Sequence, residues 1–110
     1  MTALQQQYRE QGFCFLDAGT IDENLLHEAQ KGMLAVRDGL FDTDIPPSSH
    51  PGYDVSRLCK INDAHLASTG LYALLTESKL GEGIAAVTGS ALLQVWASQL
   101  LIKPPGSEEA

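Results

Sequence analysis

The chain carries three histidines, His27, His50 and His65, and two cysteines, Cys14 and Cys59, the residue types that bind metals or act as nucleophiles. Their spacing withholds most of that chemistry. No histidine takes part in an H-x-D, H-x-H or H-x-x-x-H pair, the separations that bring two ligands onto one metal. His27 falls off the apolar stripe of a helix and reads as solvated. His50 lies among prolines, and His65 follows Asp63 near a helix start, where capping polarity explains it. The cysteines form no C-x-x-C pair and are expected to be free, buried thiols serving as small apolar groups. There is no G-x-S-x-G and no glycine-rich phosphate loop, and the G-x-G of "LGEGIA" lacks a preceding strand. Glu77 and Glu82 read as solvated helix faces, and Tyr8, Tyr53, Tyr72 and Trp96 are too scattered for a base-stacking platform.

The elements that must position these residues follow from pattern. A short polar helix is expected from Ala3 to Gln11, ended by Gly12, and then a buried apolar strand, "FCFL", from Phe13 to Leu16. "TIDE" offers a capping box between Thr20 and Glu23. Behind it Leu25, Ala29, Met33 and Val36 form one apolar stripe, interrupted by Gly32 and stopped at Gly39. Residues 42–54 hold three prolines and predict a long surface loop, a candidate lid whose deletion should alter substrate preference. Val55 to Asn62 reads as extended, with Ser56, Leu58 and Lys60 on one face and Arg57, Cys59 and Ile61 on the other. Two short helices follow, capped by Thr69 and Ser78, the second ending at Gly89. "ALLQVWASQLLIK", from Ala91 to Lys103, predicts a long strand apolar on both faces. A strand of that length needs neighbours, and few candidates precede it.

Composition narrows the function classes. With 110 residues and 44% hydrophobic content, the chain is one domain or part of one. Seven basic residues against fourteen acidic give a net charge of -7, with no basic cluster, which excludes nucleic acid and disfavours membrane surfaces. No apolar run reaches the length of a spanning helix, and no export signal opens the chain, so a cytoplasmic address is expected.

The order of elements resembles a known family. "YREQGFCFL", a capped helix, an extended "RLCKIN", two small helices ending in "AVTG" and a strand ending in "LLIKPPGS" are similar to the opening of the phytanoyl-CoA dioxygenase family. The resemblance implies an α+β chain: N-terminal helices plus the first strands of a double-stranded β-helix (jelly-roll or cupin-like) fold, with the sheet incomplete. Residues 1–110 would be the N-terminal part of a single dioxygenase domain. The family couples oxidation of 2-oxoglutarate, to succinate and carbon dioxide, to hydroxylation of a small organic substrate. Its iron(II) is held by a His-x-Asp pair and a distant His, all of which would lie beyond Ala110, as would the arginine that grips 2-oxoglutarate. This chain is therefore expected to contribute no metal ligand and no catalytic residue, and to bind neither iron(II) nor 2-oxoglutarate tightly by itself.

Two residues match family positions that face the co-substrate. Lys60 matches a lysine that contacts 2-oxoglutarate, where an ammonium neutralises a dicarboxylate leaving water; its plainer reading is an exposed lysine. Gln99 occupies a strand position facing the same molecule, although the family residue there is not always glutamine, and its plainer reading is an amide bonded within the sheet. Lys103 reads as a strand-end residue set by the Pro-Pro turn. An alternative from another class is a non-catalytic, acidic protein-interaction module, pairing as a homodimer through the unpaired strand.

Overall fold

Thr2 starts the first helix, α1 (Ala3–Gln11), by a reciprocal capping box. Its hydroxyl accepts from Gln5 N at 3.1 Å, and the Gln5 side chain accepts from Thr2 N at 2.9 Å. Gly12, at φ +82°, closes it. The structure, a computed structural model, describes residues 1–108 and is α+β. Phe13 to Leu16 form no strand, contrary to the sequence pattern. Among the described residues no ladder partner stands beside them; the rings of Phe13 and Phe15 pack edge-to-face on each other and Phe15 is 76% exposed.

The cap of helix α2 (Glu23–Arg37) falls two residues later than expected. Asp22, not Thr20, accepts from Asn24 N at 2.8 Å, while Thr20 donates to Asp17 O and closes the preceding turn. Glu23 in the first turn and Arg37 in the last both suit the helix dipole. Ala29 and Val36 are buried, with Leu25 and Met33 half-buried beside them, so the stripe faces inward as its spacing requires. Beyond the end, Gly39 at φ +79° lets Leu40 N return to Ala35 O at 2.8 Å.

Strands β1 (Cys59–Asn62) and β2 (Gln99–Ile102) pair antiparallel, with Cys59 opposite Ile102, Lys60 opposite Leu101, Ile61 opposite Leu100 and Asn62 opposite Gln99. Both expected strands are shorter than their patterns. Residues 54–57 turn back on Asp54, and a 3-10 turn, Ala64–Leu66, follows Asp63 directly. Among the described residues nothing remains for Leu92 to Ala97 to pair with, and Leu92 and Trp96 stand 91% and 96% exposed.

The core lies under one face of this sheet. Val36, Cys59, Ile61, Ala64 and Ala67 are buried together, with Leu71, Leu100 and Ile102 packed against them. Helix α3 (Thr69–Thr76) packs across α2, capped by Ser68, whose hydroxyl accepts from Leu71 N. Helix α4 (Leu80–Thr88) sits beside α1, tied by Gln5 Nε2 donating to Ala86 O at 2.7 Å, with Leu16 against Gly83. Ser78 serves Leu80 N as its spacing suggests. The radius of gyration, 15.8 Å, exceeds the roughly 13 Å of a compact chain this size, in keeping with the apolar side chains left outside the core. None of the described helices is long and apolar enough to cross a membrane.

The proline loop of residues 42–54 is fastened to the fold rather than free. Ser48 N and Ser49 O bond Asn62 on the edge of β1 away from β2, and Pro47 is buried. Asp42 accepts from Thr69 N at 2.8 Å and from Thr69 Oγ1 at 2.7 Å, securing the start of α3. These bonds from the Thr69 hydroxyl and backbone hold the Asp42 carboxyl below the usual carboxylate range. A depressed folded-state value gives stability that is present above the unfolded value and is lost as pH falls through the folded one. Asp42→Asn should therefore flatten the decline of the unfolding midpoint below about pH 4; an unchanged acid limb would refute the linkage.

Both cysteines are free, Cys59 buried and Cys14 half-buried. Burial pushes the Cys59 thiol upward, opposed by the nearby Arg37 charge. A thiol reagent should label Cys14 promptly in the native chain and reach Cys59 only as the chain unfolds. Equal rates for the two would contradict this packing.

Candidate functional site

The sheet has two unlike faces, and the difference follows from strand alternation. Cys59, Ile61, Leu100 and Ile102 point into the core. Lys60, Asn62, Gln99 and Leu101 occupy the other face, which no element among the described residues covers; all but Asn62 are exposed. Lys60 and Gln99 thus share one face of one small sheet, two positions apart along the ladder. Lys60 is exposed, as its plainer reading had it, with its ammonium free to meet an anion on that face. Gln99 is not buried. Its amide Nε2 donates to Asn62 Oδ1 at 2.9 Å across the ladder, the in-sheet bond that was its plainer reading. Lys103 lies just past β2 and is exposed, before a buried Pro104.

The histidines go to three separate places. His27 is exposed on α2. His50 Nδ1 accepts from Gly52 N at 3.0 Å, so its Nε2 carries the proton and donates to Val36 O at 2.8 Å, near the end of α2. His65 Nδ1 lies 2.5 Å from Ser98 Oγ, with the Tyr72 ring nearly parallel to the imidazole, 10° away and 6.4 Å between centroids. Among the described residues no three of His, Cys, Asp and Glu come together as a metal site. The iron implied by the family resemblance finds no ligand set in them, and no reaction step is derived through it.

Asp63 joins this second cluster. It holds a left-handed backbone, φ +57° and ψ 40°, a conformation that aspartate tolerates better than most residues. Its carboxylate accepts from Ser48 Oγ at 2.7 Å and from Ser98 N at 3.2 Å, and its own N–H donates to Ser98 O at 2.8 Å. These contacts, the Ser48 hydroxyl foremost, hold the Asp63 carboxyl below its usual range. Asp63, His65 and Ser98 therefore converge, although no sequence spacing announces it, because the fold brings them together across the β1–β2 pairing. Beside them an apolar pocket of about 110 Å³ is lined by Leu71, Leu74, Leu75 and Leu100, with His65 and Ser98 in its wall.

No protein-family model, no curated protein and no solved structure matches this chain.

Proposed function

We propose that this chain forms the helical cover and first strands of an iron(II)- and 2-oxoglutarate-dependent oxygenase resembling the phytanoyl-CoA dioxygenase family, acting on a small organic substrate. The supporting observation is the open sheet face. Helices pack one side of β1 and β2, while the other side presents Lys60 and Gln99 uncovered and together. A double-stranded β-helix encloses its co-substrate against such a face, and a dicarboxylate there needs a cation and a donor. Lys60 supplies the charge, and Gln99, positioned through Asn62, supplies an amide. In this reading the iron ligands are contributed by residues beyond Ala110.

The coding sequence after the Ala110 codon tests the reading. Continuation into a His-x-Asp pair, a later His and an arginine supports it; an immediate stop codon overturns it. In the complete enzyme, Lys60→Ala should raise KM for 2-oxoglutarate at least about tenfold, the loss of one charge-assisted contact, with kcat changed much less. An unaltered KM would remove Lys60 from the site.

One observation favours a second reading, an acidic interaction module that pairs with its own copy. The outer edge of β2 meets no strand among the described residues, and the uncharged segment before it exposes Leu92 and Trp96. Light scattering that shows a dimer, dispersed by Trp96→Glu, would favour this reading over the first.

A further inference from the structure

We propose that Ser98 is a nucleophilic serine, with His65 as its base, able to take a short acyl group from an activated ester. This rests on no feature of the oxygenase reading. His65 Nδ1 and Ser98 Oγ, 2.5 Å apart, are in hydrogen-bond contact, as a base and its hydroxyl must be. With the proton on Nε2, the Nδ1 lone pair faces the hydroxyl and can receive its proton. The serine is held rather than loose. Asp63 grips its backbone from both sides, N–H to carboxylate and carbonyl to N–H. The imidazole is steadied by the nearly parallel Tyr72 ring. Asp63 makes no hydrogen bond to the ring and acts as a positioning residue.

The pocket sets the class of acyl group. Its volume of about 110 Å³ suits a short acyl chain. Four leucines and Ala64 make its apolar wall, which takes hydrocarbon, while His65, Ser98 and Gln99 make the polar wall where the carbonyl is left. In the step itself, Ser98 Oγ bonds to the ester carbonyl carbon as its proton passes to His65 Nδ1. The ester C–O bond breaks, and the alcohol departs with the proton from His65. Water then attacks the acyl-serine by the same route, its proton passing through His65 to Ser98 Oγ, and releases the carboxylic acid. No electron transfer is involved.

The intact chain, mixed with p-nitrophenyl acetate, provides the test, read by release of p-nitrophenol and by peptide mass spectrometry. In samples quenched with acid before the acyl-serine hydrolyses, one acetyl group is expected on Ser98. Ser98→Ala should lose it, His65→Gln should slow acylation by about 10²–10⁴-fold, and Ser90→Ala, a serine outside the cluster, should react as the parent does. Circular dichroism checks that each variant is folded. Should Ser98→Ala fail to fold, Ser98→Cys keeps a nucleophile at the position and should be acetylated there. Acetyl on lysines or the N-terminus with none on Ser98, or an unchanged rate in folded His65→Gln, overturns the proposal.

Discussion

Ile61→Ala is expected to lower the unfolding free energy by about 4 kcal/mol, within the 2–5 kcal/mol usual for such truncations. Ile61 is fully buried, and with Val36 and Cys59 it makes up the largest enclosed side chains in the molecule. Its buried neighbours Ala64 and Ala67 carry only a methyl group and cannot lean into a void. The cavity therefore stays open and its full cost is felt. Against a total stability of roughly 5–15 kcal/mol for a domain, the loss is a large share. Urea unfolding measures it as a lower midpoint with an unchanged slope. Where the alanine variant is too unstable to follow, Ile61→Val should cost about 0.5–1.5 kcal/mol. Leu101→Ala, on the opposite and open face of the same sheet, should stay within about 0.5 kcal/mol. Equal losses at Ile61 and Leu101 would mean that the core has been placed on the wrong side of the sheet.

What the sequence discloses of this fold depends on whether an element is decided locally. The helices are legible because their information is carried in a few consecutive residues: the stripe of α2, the stops at Gly12, Gly39 and Gly89, and the 3.6-residue period. The parity of β1 is legible for the same reason, and Cys59 and Ile61 do face the core while Lys60 faces out. Strand length is not local. "FCFL" and the first half of "ALLQVWASQLLIK" have good strand composition, yet a strand forms only where a neighbour supplies hydrogen bonds, and composition does not report neighbours. Proline content likewise suggests a loose loop at residues 42–54 but cannot reveal that Asp42, Ser48 and Ser49 are each fastened to a distant partner. Of the candidate site, Lys60 and Gln99 are individually visible in the sequence, and their common face follows from register. The convergence of Asp63, His65 and Ser98 is invisible there, since only the β1–β2 pairing brings Ser98 to Asp63.

Gly70→Ala should cost about 3 kcal/mol, the upper part of the range for overpacking, and Gly32→Ala should cost far less. Both glycines lie where α2 and α3 meet, and a sequence reading assigns each only the helix penalty of about 1 kcal/mol relative to alanine. The structure separates them by what stands opposite. A Cβ on Gly70 would run into the backbone of α2, the carbonyl oxygen of Glu28 first and its carbonyl carbon next at 2.9 Å. Backbone inside a helix cannot step aside, so the two helices must part, and α3 would lift from the core it helps cover. A Cβ on Gly32 would instead meet the hydroxyl of Ser68, the end of a single side chain. That hydroxyl caps α3 by accepting from Leu71 N, and a cap is worth about 1 kcal/mol. In the Gly32→Ala background, Ser68→Ala should therefore cost little or nothing, because it relieves the crowding as it removes the cap; in the parent it should cost about 1 kcal/mol. A double-mutant cycle by urea unfolding measures this coupling. No change at Ser68 recovers Gly70→Ala. If Gly70→Ala proved as mild as Gly32→Ala, the close approach of α2 and α3 at Glu28 would be wrong, and with it the position of α3 over the core.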